Sequence, residues 1–270
     1  MSGRVAPWKY PKPVSSFIFR NDSDKRRVKF TDVTAEVAPD LKNIGMVCDG
    51  LVTDFDNDNQ PDLILAGEWM PITFLKNVDG KFKNVTSNSG LNNKPGWWNS
   101  IIAGDFRHTG RTDYIVGNVG LNTLYRASDQ YPVYITAKDF DNNGGYEAIP
   151  SLFLKDQKGQ LKEFPAHGRD DVVERLPAMK KRFNNFKSFA TATMEEIFPP
   201  GQREGAALPL DLSNRVIPRQ ETLSNVCPHR GSQQSNHDKG SNDGFHCASS
   251  RILALKASKG ALSTKPTSED

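Results

Sequence analysis

The sequence predicts an all-β fold of repeated strand units, broken by a helical insertion and followed by a tail without regular structure. Three observations predict it. Short runs of 4–8 residues, rich in Val, Ile, Phe and Trp, alternate with Gly, Asn and Asp turn signals. Two kinds of segment recur. KFTDVT (Lys29–Thr34) returns as KFKNVT (Lys81–Thr86), 52 residues on. The acidic DFDNDNQPD (Asp54–Asp62) returns as DFRHTGRTD (Asp105–Asp113), 51 residues on, and again as DFDNNGGYE (Asp139–Glu147). Finally, between Gly168 and Phe198 the apolar spacing changes to steps of 3 or 4. A period near 50 with about four strands per unit has the size of a propeller blade, and a chain of this length holds an incomplete set of them. The third interval, 34 residues, breaks the regularity.

In chain order, Ser15–Arg20 and Arg27–Phe30 are expected to form a hairpin across Asn21–Asp24. Strands are expected at Met46–Thr53, Asp62–Ala66, Ile72–Lys76, Lys81–Val85, Trp98–Gly104, Asp113–Gly117, Tyr131–Lys138 and Ala148–Leu154. Val172, Leu176, Met179, Phe183, Phe186, Ala190, Met194 and Ile197 form one helical stripe, capped by Asp170 or Asp171 and kinked or started at Pro177. That stripe reads as an insertion packed on the sheets; a membrane-surface or partner helix is the other reading. Residues 1–165 are therefore expected to be the repeats, 166–205 the insertion and 206–270 a polar tail.

Composition narrows the function classes. Hydrophobic residues make up 36% and the formal net charge is +3. Neither a basic stripe nor interleaved aromatics point to nucleic acid. No apolar run approaches the ~20 residues of a membrane span. Met1–Val5 lacks the apolar core of a secretory signal, so the chain is either cytoplasmic or the interior of a longer exported protein. Cys48, Cys227 and Cys247 cannot all pair; Cys48, in an apolar run, is expected to be buried.

The acidic loops carry the chemistry. Asp54, Asp56, Asp58 and Asp62 fall at positions 1, 3, 5 and 9 of a tight loop. Converging carboxylates repel unless a cation neutralises them, and hard oxygen donors of this number suit Ca²⁺. The Gln60 carbonyl would add a ligand, and Asn59 would take the left-handed turn position. Loop 3 repeats the set with Asp139, Asp141, Asn143, the Gly145 carbonyl and Glu147; it is one charge less negative, so weaker binding is expected. In loop 2 position 3 is Arg107, whose guanidinium could pair with Asp105 and Asp113 in place of an ion. The bland alternative for each loop is an Asx-rich turn without an ion.

These residues also carry a resemblance. DFDNDNQPDLILAGEW, GDFRHTGRTDYIVGN and KDFDNNGGYEAIP resemble FG-GAP/VCBS repeats, which in integrins and many bacterial secreted proteins form propeller blades with calcium in the loop. GEWMPITFLKN, GWWNSI, GNVGLNT and EFPAHGRDDVVERLPAMKKRF are similar to bacterial surface or secreted proteins of the ASPIC/UnbV type. The resemblance runs from Gly3 to Ala206. It implies a larger propeller with Ca²⁺ in its loops, an extracellular or cell-surface location and no established catalytic residues. Loops made rigid by the ion are expected to present a surface to a protein or glycan ligand.

Other readings compete. A calcium-dependent polysaccharide lyase would need a base in a charged cleft, and His167, beside Arg169 and Asp170, is the better candidate; His108 is the other. Cys227, His229 and Cys247 imitate part of a [2Fe–2S] motif but lack the fourth ligand, Ser250 standing in its place. Trp69, Trp97 and Trp98 are expected as packing residues, with sugar stacking as the alternative.

Overall fold

The structure, a computed structural model, describes residues 1–108, 111–120, 123–128, 130–199 and 201–203, with the backbone alone of 207–210 and 252–258. It is mostly antiparallel sheet with few, short helices.

The expected hairpin is present, its strands shorter and shifted. β1 (Phe19–Asn21) pairs β2 (Phe30–Asp32), with Phe19 opposite Asp32. A helical turn, α1 (Thr34–Val37), follows. The first full repeat is a meander of β3 (Met46–Thr53), β4 (Asp62–Met70), β5 (Thr73–Val78) and β6 (Lys81–Asn84), paired in that order. Both faces of β4 are covered. Ile64 and Ala66 enter one core with Phe55, Phe74, Tyr114 and Val116, while Leu65 enters another with Leu41, Val47, Met70 and Leu75. A strand buried on two faces reads as a continuous apolar run, as LILAG does. Cys48 is only half-buried, because β3 turns its central residues toward the surface.

The inner pair of the second repeat is β7 (Gly96–Gly104) and β8 (Arg111–Asn118). Residues 119–132 carry no strand among the described residues, and the chain passes directly to β9 (Val133–Lys138). The short third interval follows: among the described residues, no strand between β8 and β9 answers to β5 and β6 of the first repeat. β9 continues antiparallel into β10 (Glu147–Lys155) and β11 (Leu161–Pro165). Each repeat leans on its neighbour. Ile101 N–H donates to Asp49 at 2.9 Å, and the fully buried Tyr114 of β8 shares a 2.7 Å hydrogen bond with Thr53, next to the first acidic loop.

The insertion is not one helix but four short ones: α2 (Arg169–Arg175), α3 (Met179–Arg182), α4 (Phe186–Phe189) and α5 (Met194–Ile197). Gly168, not an aspartate, occupies the N-cap of α2. Capping boxes at Asn185/Ser188 and Thr193/Glu196 restart the helix twice and reset its phase. The expected Phe186 and Ala190 are therefore exposed, and Phe189 and Ala192 are buried in their stead. Val172, Leu176, Phe183, Met194 and Ile197 do enter one core, closed on the sheet side by Ile149 of β10.

Within the stretch expected to be without structure, the backbone forms β12 (Ala207–Leu210) on β9 and β13 (Ile252–Ser258) on β8. β13 lies beside β8 as β5 lies beside β4. Cys227, His229, Cys247 and the other tail positions lie outside the described residues.

Met194→Ala is expected to cost about 2–5 kcal/mol, since it empties a fully enclosed position. Ala190→Ser is expected to stay within about 0.5 kcal/mol. Urea unfolding checks the pair; equal costs would mean that the insertion packs with the phase of the uninterrupted stripe.

Candidate functional site

Each acidic loop closes the inner hairpin of a repeat, so the fold places all three at equivalent turns. Position 4 is left-handed in every copy, with φ 64° at Asn57, 53° at His108 and 59° at Asn142. Position 6 is left-handed at Asn59 (φ 65°) and Gly144 (φ 89°). Asn adopts this conformation at less cost than most residues, so Asn59 replaces glycine as the sequence suggests.

The curl gathers side chains from alternate positions. Asp54, Asp56 and Asp58 bring carboxylate oxygens within 4.8 Å of one another in loop 1, and Asp139, Asp141 and Glu147 do so in loop 3. The first aspartate also braces the turn. Asp54 accepts from the N–H groups of Asn57 (2.7 Å) and Asn59 (3.0 Å), and Asp139 from those of Asn143 (3.0 Å) and Gly144 (2.9 Å). Asn143 lies against Asp141 through its side-chain amide, and its Oδ1 accepts from Gly145 N–H at 2.7 Å. Gln60 uses its side chain to accept from Asp79 N–H at 3.0 Å.

Position 9 differs between the loops. Fully buried Asp62 stands outside the loop 1 cluster, its oxygens accepting from Asn77 N–H (2.8 Å) and Phe55 N–H (3.1 Å). It ties the loop to β5. Burial pushes its carboxyl up to about 6, with repulsion from Asp56 and Asp58 adding to the rise and the two N–H bonds opposing it. Glu147 accepts from Phe140 N–H at 2.7 Å, yet still joins the loop 3 cluster.

A positive side chain meets carboxylates in two of the three loops. In loop 1 the Lys76 ammonium bonds Asp56 and sits 3.1 Å from Asp58. Burial works to lower its pKa, but the hydrogen bonds and charges of both aspartates outweigh that and raise it above the ordinary lysine range. In loop 2 Arg107 forks onto the buried Asp113 through Nε (3.0 Å) and Nη2 (2.9 Å). Thr109 and Gly110 of that loop lie outside the described residues. Among the described residues no lysine or arginine reaches salt-bridge distance of Asp139, Asp141 or Glu147. Sequence reasoning missed Lys76, because it stands on β5, beyond the loop and with no motif of its own.

Of His167, Arg169 and Asp170, His167 alone lines the cavity beside α2. Arg169 donates to the Phe183 carbonyl and to Asp170, both at 2.8 Å. His167 faces that cavity with Arg175. Burial, then the charge of Arg175, lower its imidazole pKa, with Asp171 opposing.

Residues 54–116 match an FG-GAP-like repeat. The match starts on the first carboxylate of loop 1 and ends within β8, after loop 2, so it spans one full period. No curated protein matches the chain. Among the described residues no helix is long and apolar enough to cross a membrane.

Arg107→Ala is expected to destabilise the fold by about 1–3 kcal/mol, since it takes the guanidinium fork away from the buried Asp113 carboxylate. Adding Asp113→Asn should recover part of that loss; additive costs in a double-mutant cycle would refute the pairing. Asp62 gives a pH signature. Its folded pKa lies above the ordinary value, so its contribution is complete below about pH 4 and lost as pH rises through about 6. With chelator present, the melting temperature should fall between pH 5 and 7 more in the wild type than in Asp62→Asn. Parallel profiles would contradict the shift.

Proposed function

We propose that the chain is a calcium-binding, non-catalytic interaction module of an extracellular or cell-surface protein, presenting a rigid repeat surface to a protein or glycan ligand. One observation carries the reading: the same loop, at the same turn of successive repeats, twice gathers three carboxylates within 4.8 Å. The FG-GAP-like match over residues 54–116 supports it. The donor set fits a hard divalent cation, since it is all oxygen, mostly anionic and mounted on turns that backbone hydrogen bonds hold in shape. Asp54, Asp56 and Asp58 would hold one ion and Asp139, Asp141 and Glu147 another, with the Gln60 and Gly145 carbonyls as additional donors. Asp62 serves loop 1 as a buttress. On the side of the non-catalytic part, Arg169 and Asp170 bond each other, and neither lines the cavity that His167 and Arg175 line.

Lys76 changes the expected ranking of the two loops. An ion entering loop 1 competes with an ammonium already bonded to Asp56 and Asp58, whereas loop 3 has no such competitor among the described residues. Loop 3 is therefore the tighter site in this proposal, despite its smaller formal charge.

Millimolar Ca²⁺ is expected to raise the melting temperature and chelator to reverse the rise; an ion at a hundredfold excess over its Kd adds about 2.7 kcal/mol. Calorimetry should count two ions in the wild type and one in Asp56→Ala or Asp141→Ala. Lys76→Met should tighten the weaker site about tenfold, close to 1.4 kcal/mol. No thermal shift, or unchanged stoichiometry in both aspartate variants, would refute the calcium assignment.

A further inference from the structure

The three repeats, the N-terminal segment and the insertion meet around a cavity of about 360 Å³. That volume lies at the small end of ligand pockets. Three rings stand in succession along it: Trp69 is 5.8 Å from Trp97 at 39°, and Trp97 is 5.8 Å from Tyr125 at 46°. Trp8 and Tyr146 line it from the mouth and from β10's approach, and His167 and Arg175 come from either end of α2.

Two features set this junction apart from ordinary packing. Trp8 and Trp69 both have left-handed backbone, with φ 61° and 56°. For bulky residues that conformation is costly and tends to concentrate where function requires a fixed presentation. Trp69 is held in it: its Nε1 donates to Tyr10 at 2.7 Å, and Tyr10 donates to Glu68 at 3.0 Å. The remaining polar atoms of the wall are left over. The Tyr125 and Tyr146 hydroxyls and Trp97 Nε1 have no hydrogen-bond partner among the described residues, and the buried His167 Nδ1 has none either.

A purely apolar occupant would leave those atoms unpaired, at a cost for each. A sugar ring matches both kinds of surface, its C–H face on the aromatic platforms and its hydroxyls on the free donors and acceptors. The formal charge on the wall is the Arg175 guanidinium, which favours a carboxylate and disfavours the cations that aromatic cages otherwise take. We propose that this cavity binds a carboxylate-bearing sugar, a uronic acid residue, with its ring on Trp97 and its carboxylate on Arg175. The proposal rests on the interaction-module reading but not on its calcium part.

The test titrates the whole chain with D-glucuronate and D-galacturonate, against glucose and choline, following tryptophan fluorescence in the presence and absence of chelator. At least one uronate should bind with a Kd of about 1 mM, at least tenfold tighter than glucose, and chelator should not change it. Arg175→Gln, at an exposed position, should weaken the uronate at least tenfold and Trp97→Ala should abolish it; Arg20→Gln, on the distant hairpin, should do neither. If Trp97→Ala fails to fold, Arg175→Gln decides. No uronate binding, equal binding of glucose, preference for choline, or full binding by Arg175→Gln would overturn the proposal. Loss of binding on chelation would also overturn it, by assigning the sugar to a cation at the loops.

Discussion

Like charges held a few ångström apart set the terms for this molecule. The inner hairpins turn through acidic loops whose geometry drives carboxylates together, and each loop offsets that repulsion in its own way. Loop 2 has an internal answer in Arg107, which forks onto Asp113. Loop 1 has a partial one in Lys76, borrowed from the next strand. Loop 3 draws on backbone N–H groups and the Asn143 side-chain amide, with no lysine or arginine among the described residues at salt-bridge distance. In loop 1 the last carboxylate has withdrawn from the cluster into the sheet, where Asp62 stitches the turn to β5. The strand pairing above each loop depends on these solutions, because the turn fixes which residues of the paired strands face each other.

Much of this was legible in the sequence. Repetition of a nine-residue acidic pattern located every inner hairpin, and the left-handed Asn59 follows from local chemistry alone. The 34-residue interval reads as an irregularity, and among the described residues the stretch between β8 and β9 holds no counterpart of β5 and β6. β11 went unseen because LKEFP alternates poorly and sits on a sheet edge, where burial writes little into the sequence. The insertion was misread in phase, not in kind. Its apolar residues do face one core, but the capping residues Asn185 and Thr193 restart the helix, and periodicity counted across them slips.

The aromatic junction was the least legible part. Trp69, Trp97 and Trp98 read as packing residues, and that holds in part, since Trp69 and Trp97 lie against the cores of β9 and β10. That they also line a cavity with Trp8, Tyr125 and His167 depends on five separated segments meeting, which no local pattern encodes. The bulge that turns Trp69 is tied to Gly67, where a Cβ would collide with the Met46 carbonyl and the Met70 thioether.

An arginine cannot be chelated away. Arg107 closes the middle hairpin by a contact within its own loop, with a charge that belongs to the chain itself. Under the calcium reading, the flanking hairpins answer to the surrounding medium while the central one does not. Withdrawal of the ion would then open the chain from its two flanks toward a fixed middle, as separate cooperative units and not as one. Protection of backbone amides would fade unevenly, outlasting in β7 and β8 what it loses in β3 and β9. A substitution that first looks like the decay of a site thus gives the array a point of attachment indifferent to its environment.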